Sequence, residues 1–497
     1  MSFSSLTFIF LFLPITLICY WGIPKKHGNK FLLAASLVFY AWGDPQHIVF
    51  LLECIALNYI FGILIRRYKS SIYSTAILWI SIFSNVAILV LFKYAAFLEN
   101  IYDSIFINTG YASIPLDADP IPIGISFLTF QLISYLVDIY REEIETERNL
   151  LNFAMFVSFF PKLIAGPIVR YKDTAEDLVN RSVNMKGFSY GIKRFIVGLG
   201  KKILIAGTLE KTADLVMGIP FDQLGAGTAW LGLACYTLQI YFDFSGYSDM
   251  AIGLGSMFGF HLPENFNYPY ISKSVTEFWR RWHISLSTWL RDYLFLPLSY
   301  SLLTDRARKK IASRSYNIPW ATYFSILIVF SICGLWHGAG WNFVLWGLFQ
   351  GVFLVLERLE IFKPFGKAWS PLKHCYFLFV VMIGWLFFRL ASPAEVFHYL
   401  KIMFGLSTFA GASNPATVPV ENDLLLAIGI GIVGATNIVP ALTEYKMKLS
   451  KESGGMPATL FSRVFPALET AGLYLILFLS VMSLASGTYN PFIYFKF

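Results

Sequence analysis

The sequence predicts an all-α polytopic membrane protein, a single bundle of about a dozen membrane helices over residues 1–497. Three observations predict it. Hydrophobic residues make up 56% of the chain and charged residues only 14%, with a mean hydropathy of +0.59, far too apolar for a core wrapped in a wetted surface. Apolar runs of about 20 residues, the length that crosses a hydrocarbon layer as a helix, recur from end to end. Lysines and arginines collect in the short connections between those runs. Barrel strands, which alternate polar and apolar residues, are excluded by the same runs.

In order, the candidate spans are 3–21, 31–42, 47–65, 74–94, 121–140, 151–168, 188–217, 228–258, 317–336, 341–358, 374–391, 395–410, 423–441 and 464–486, the shorter ones crossing only part of the layer. Phe3–Tyr20 has no basic stretch before it and no A-x-A cleavage site after it, and so reads as a retained first helix, not a removed signal peptide. Gly43-Asp44-Pro45 turns the chain between two spans. Lys25, Lys26 and Lys30 precede that hairpin and Arg66, Arg67 and Lys69 follow it, which puts both groups on the cytosolic side and the N-terminus outside. Glu99–Asp119 carries acids and no Lys or Arg, as an outer loop would, whereas Arg306, Arg308, Lys309, Lys310 and Arg314 mark a cytosolic one. The formal net charge of +8 is thereby a matter of topology, and nucleic acid is not among the expected partners. With no tandem repeat, linker or low-complexity tail, one domain is the simplest organisation. Cys19, Cys54, Cys235, Cys333 and Cys375 stand singly in apolar stretches, a pattern of small core residues and not of a metal site or disulfide framework.

Two of the seven histidines stand where chemistry is possible. His337 separates two apolar runs and is followed by Gly338-Ala339-Gly340, which lets the backbone break and approach another group closely. A broken helix at membrane depth normally lines a cavity, and a buried neutral imidazole there accepts a proton from an attacking hydroxyl or thiol. The competing reading is an interfacial belt of Trp336, His337 and Trp341 at a hairpin turn. His283 lies in a stretch where Phe278, Trp282, Leu286, Trp289 and Tyr293 recur at helical spacing with Arg280, Arg281, Arg291 and Asp292 on other faces, the pattern of an amphipathic helix along the cytosolic surface. Its arginines either anchor on anionic membrane lipid or grip the phosphates of a coenzyme A thioester. Asp243 and Asp249 fall inside an apolar run, where an unpaired carboxylate costs several kcal/mol; a network between helices and a substrate contact both account for them. Gly187-Phe-Ser189-Tyr-Gly191 matches a nucleophile elbow but opens a membrane helix, without the strand that elbow needs.

Gln239–Pro269, the run from Phe278 through His283 to Leu294, and Gly334–Asn342 together resemble the membrane-bound O-acyltransferase (MBOAT) family. Asp243-Phe-Ser-Gly-Tyr-Ser-Asp249, Pro263-Glu-Asn-Phe-Asn267 and the closing Asn490–Phe497 resemble its alginate O-acetyltransferase branch. The resemblance spans nearly the whole chain. It implies a helical bundle with a tunnel through the membrane, a catalytic histidine carried onto His337 and a second family histidine carried onto His283. It also implies a bacterial inner-membrane protein that takes acetyl from cytosolic acetyl-CoA and passes it outward, where a periplasmic SGNH-type acetyltransferase of a polysaccharide export complex finishes the transfer. No tightly bound cofactor is expected.

On this reading His337 is the general base. Arg280, Arg281 and Arg291 hold the coenzyme A phosphates, Trp282 and Asn342 line the tunnel, and the two histidines face that tunnel from opposite ends. Alginate is the first choice of polymer. Peptidoglycan, cellulose or D-alanyl transfer to teichoic acid are the alternatives within the family, and a transporter or export-complex scaffold is the alternative without chemistry.

Overall fold

The computed structural model describes residues 1–106, 120–302, 319–359, 362, 365–406, 416–438, 441 and 456–487. The basic tract Arg306–Arg314, most of the acidic connection Glu99–Asp119 and the closing Asn490–Phe497 lie outside the described residues. Among the described residues every regular element is helical.

Among the described residues five helices are long and apolar enough to cross a membrane: Pro45–Arg67, Ile72–Lys93, Trp320–His337, Ser370–Arg389 and Pro466–Ala485. Shorter apolar helices, Phe8–Gly22, Ile125–Tyr140 and Asn422–Gly434, accompany them. Contacts divide the chain into two compact units. The first comprises Met1–Ile192, Ala251–Glu264 and Thr288–Leu294, the second Lys193–Met250, Asn265–Ser287 and Phe295–Phe497.

In the first unit, helices α1 (Ile48–Arg67), α2 (Ile72–Lys93) and α3 (Ile125–Tyr140) pack on one another. Their polarity is reversed relative to a water-soluble bundle: on α2, Phe83 is 73% exposed while Ser81 is fully covered. Asn58 of α1 and Asn85 of α2 exchange amide hydrogen bonds of 3.2 and 2.8 Å. Apolar side chains meet lipid tails at no cost, so polar pairs are sequestered between helices.

The run expected as one span over 151–168 breaks at Phe159, because Pro161 and then Gly166-Pro167 interrupt the ladder of backbone hydrogen bonds. The run 188–217 is continuous, from α4 (Met185–Gly200) through a widened π turn, Lys201–Ala206, to Met217. Gly187, Ser189 and Gly191 lie on α4, and a Cβ at Gly191 would come within 2.5 Å of the Gly253 carbonyl oxygen, so Gly191 serves helix packing.

In the second unit that π turn faces α5 (Ala226–Met257). Lys201 and Arg194 donate to Asp249 at 2.6 and 2.7 Å, and Lys202 pairs with Asp243. Gly198 and Gly246 bring the two backbones together, since a Cβ at either would lie 2.6 to 2.7 Å from the other's carbonyl oxygen. Of the two readings of Asp243 and Asp249, the network between helices is the one present: each carboxylate is neutralised by cations from the preceding helix.

The amphipathic surface helix expected around His283 is not formed. The chain makes two short helices, α6 (Val275–Phe278) and α7 (Ile284–Leu290), with a turn between them. Phe278, Trp279, Trp282 and His283 are all buried, because the periodic aromatics pack into a protein core and not onto a lipid surface. Beyond them come α8 (Pro319–His337), α9 (Trp341–Arg358) and α10 (Ser370–Arg389).

Candidate functional site

Helix α8 ends on His337, Gly338–Gly340 reverse the chain, and α9 starts at Trp341. Gly338 is required: a side chain there would collide with the Phe343 ring. His337 is therefore set at the closed end of a tight helical hairpin and is buried, with 4% of its surface exposed. Its ring lies edge-on to Trp346 and Phe388, centroids 5.2 Å away in both cases, and 4.8 Å from Trp336. This is an aromatic box inside the protein, and the interfacial-belt reading of Trp336 and His337 does not describe it; Trp341, by contrast, is exposed.

His283 reaches the same place from the turn between α6 and α7. Its ring centroid is 6.4 Å from that of His337, and Phe244 of α5 stacks edge-on against it at 4.7 Å. The two histidines are thus neighbours in one site, where the surface-helix reading had set them at opposite ends of a passage. His283 is fully buried and has φ of +43°, a left-handed backbone that costs a non-glycine residue about 1–3 kcal/mol and is kept only where the surroundings impose it.

Those surroundings are a clamp. At one end of the turn-bearing segment, Glu357 of α9 accepts from the backbone N–H groups of Val275 and Thr276 at 2.6 and 2.8 Å. At the other, Asn265 accepts on its backbone oxygen from Ile284 N–H at 2.9 Å, and Arg281 accepts from Asn267 N–H at 2.9 Å. The Asn265 side-chain oxygen accepts from His283 Nδ1 at 3.0 Å, Ser285 N–H at 3.2 Å and the Ser285 hydroxyl at 2.8 Å. His283 Nε2 has no partner among the described residues. Burial disfavours the imidazolium and pulls His283 down to about 3, so it is neutral at any pH near 7.

The remaining sequence candidates separate. Trp282 is buried among Phe266, Tyr270, Phe278 and Trp385, a wall of the aromatic core. Asn342, buried, donates to the carbonyls of Leu390 and Phe387 at 2.8 and 3.3 Å and so caps the end of α10. It also lines a cavity of about 360 Å³ with Gly340, Phe343, Phe388, Tyr236, Gln239 and the Arg389–Asp214 ion pair. Phe388 belongs both to that cavity and to the box around His337. Arg281 is held by Glu277 at 3.0 Å and by the Asn267 carbonyl at 3.2 Å, and Arg291 by Asp292 at 2.8 Å. Arg280 is exposed and lies within electrostatic reach of Arg358 at the end of α9.

Sequence reasoning missed Arg358, Asn265 as a ligand of His283, and the cavity-lining Tyr236 and Gln239. Of these Asn265 and Gln239 carried a signal, through their places in the Pro263–Asn267 motif and at the start of the Gln239–Pro269 run.

Residues 67–391 match the profile of MBOAT, the membrane-bound O-acyltransferase family. A probable alginate O-acetylase AlgI of Azotobacter vinelandii is 37% identical over the whole of both chains. A peptidoglycan O-acetyltransferase of Helicobacter pylori is 33% identical over 82% of this chain and 80% of its own, and a teichoic acid D-alanyltransferase of Bacillus subtilis is 27% identical over 58% and 68%. Two buried histidines meeting at a helical hairpin in a multi-pass bundle, a profile match over most of the chain and full-length relatives of this kind lead to one assignment: this protein is an acyltransferase that belongs to the membrane-bound O-acyltransferase family.

Proposed function

We propose that the chain takes acetyl from cytosolic acetyl-CoA and passes it across the bacterial inner membrane for O-acetylation of an exported polysaccharide, with alginate as the polymer. The observation that carries this reading is the pairing of His337 with His283, two buried imidazoles with ring centroids 6.4 Å apart. The polymer comes from the full-length relatives named as alginate O-acetylases.

His337 acts as general base. It takes the proton of an attacking hydroxyl whose oxygen bonds to the thioester carbonyl carbon; the C–S bond then breaks, and the thiolate leaves as a thiol with that proton. The cavity beside Phe388 supplies room for the acceptor on the outward side, and a periplasmic SGNH-type acetyltransferase within an export complex completes delivery to sugar hydroxyls. Arg280 and Arg358 receive the coenzyme A phosphates on the cytosolic side: two like charges set close together are relieved by an anion between them.

Purified protein in lipid nanodiscs is expected to release coenzyme A from acetyl-CoA, and a transporter or scaffold would not. Arg280→Ala and Arg358→Ala each raise the KM for acetyl-CoA by about tenfold with kcat little changed, as the loss of one charge-assisted phosphate contact implies. An unchanged KM removes the phosphate assignment. For orientation, single cysteines at positions 306–314 in a cysteine-free background react with a membrane-impermeant thiol reagent only after the membrane is opened. Labelling of intact cells would reverse the topology, with the N-terminus inside.

A further inference from the structure

We propose that Asn265 is a positioning residue of the acyl-transfer centre: its side-chain oxygen locks His283 into the Nδ1–H tautomer, so that the ring offers a bare Nε2 to the group being acylated. This rests on the reading of the His337–His283 pair as the reaction centre.

The assignment follows from which atoms are able to donate. A backbone N–H only donates, so the Asn265 side-chain atom 3.2 Å from Ser285 N is the amide oxygen and not the amide nitrogen. That same oxygen lies 3.0 Å from His283 Nδ1. An amide oxygen only accepts, so Nδ1 carries the hydrogen. In a neutral imidazole the other nitrogen then holds a lone pair, and His283 Nε2 is buried with no protein donor among the described residues.

Three further features show that the arrangement is imposed. Asn265 and His283 are both fully covered, so water does not compete for either end of the hydrogen bond. The Ser285 hydroxyl, at 2.8 Å, is a further donor to the same oxygen, and the Ser285 N–H, which only donates, holds the amide the way round it is. The Asn265 backbone oxygen ties down Ile284, the residue after the left-handed His283, so one residue holds both the strained backbone and the ring it carries. His283 is then unable to donate toward the reaction centre through Nε2. Its lone pair accepts the single O–H of the incoming hydroxyl and so aims that oxygen before reaction; the O–H then turns to His337, which takes that one proton as the oxygen attacks. Asn265 itself exchanges no atom with substrate.

The test uses the full-length protein in nanodiscs, with acetyl-CoA as probe and coenzyme A release as readout, in wild type, Asn265→Ala, Asn265→Asp and His337→Ala. Asn265→Ala frees the tautomer and is expected to lower kcat on the order of 10²-fold with the acetyl-CoA KM unchanged. Asn265→Asp keeps an oxygen that accepts from Nδ1 and from Ser285, and is expected to restore kcat to within about tenfold of wild type. A merely structural role would not give that order, since both substitutions disturb the buried amide. Asn265→Asp that is folded yet as slow as Asn265→Ala overturns the proposal, as does Asn265→Ala at wild-type kcat. If Asn265→Ala fails to accumulate, the Asn265→Asp rate alone decides. His337→Ala separates the levels: retained turnover in that variant sinks the reaction centre itself, whereas an inactive His337→Ala beside an inactive Asn265→Asp sinks only the role of Asn265.

Discussion

His337→Ala, at native abundance in the membrane, is expected to leave the exported polymer without O-acetyl groups in cells that lack the native protein. General-base catalysis contributes about 10²- to 10⁴-fold, and a loss of that size takes polymer acetylation below what a growing cell accumulates. The geometry favours a loss of activity over a loss of protein. His337 sits in a box made by Trp336, Trp346 and Phe388 that keeps its shape from ring packing, and removing the imidazole leaves a small void among rings rather than a broken backbone. The measurement is the ratio of acetyl groups to sugar in secreted polymer, alongside membrane levels of both forms. Full acetylation by His337→Ala at equal abundance would remove His337 as the base and return the scaffold and transporter readings to the front. Loss of acetylation in whole cells, taken with coenzyme A release by the purified native protein, excludes both.

Much of this was legible in one dimension because the bilayer simplifies the code. Continuous apolar runs mark the spans directly, and the glycines after His337 mark the break that presents it. What was not legible came from contacts between distant segments. The aromatics around His283 repeat at helical spacing, yet the chain turns sharply after Trp279, and nothing in the periodicity reveals that Asn265, 18 residues before His283, pins the turn. The same periodicity suits a lipid-facing helix and a buried aromatic core, because both bury one stripe of rings. Asp243 and Asp249 had two open readings for a related reason: their cationic partners, Lys202, Lys201 and Arg194, lie on another helix, more than 40 residues away, and pairing is a tertiary fact.

Gly334→Ala and Gly347→Ala, single-methyl changes with no catalytic group touched, are each expected to cost about 3 kcal/mol or more and to leave little folded protein. Helices α8 and α9 lie against one another along this pair. A Cβ at Gly334 would collide with the Phe343 carbonyl oxygen, and one at Gly347 with that of Phe330; the second-nearest atoms belong to the same carbonyls. Backbone is unable to swing aside as a flexible side chain does, so the helices must part. Parting them gives up the packing that membrane helices rely on in place of a hydrophobic driving force. His337 stands three residues, nearly a full turn, beyond Gly334, so the surviving fraction would carry its imidazole displaced from His283. Gly429→Ala is the control: it lies inside the helix Asn422–Gly434, nothing stands within 4 Å of its added Cβ, and its helix propensity improves by about 1 kcal/mol. The measurement is the midpoint of heat-induced loss of the monodisperse peak in mild detergent. A fall for both hairpin variants with no fall for Gly429→Ala establishes that close backbone approach holds the hairpin, and with it the histidine pair, in place. Native midpoints for Gly334→Ala and Gly347→Ala would mean that the hairpin tolerates separation, and that the box of rings alone fixes His337.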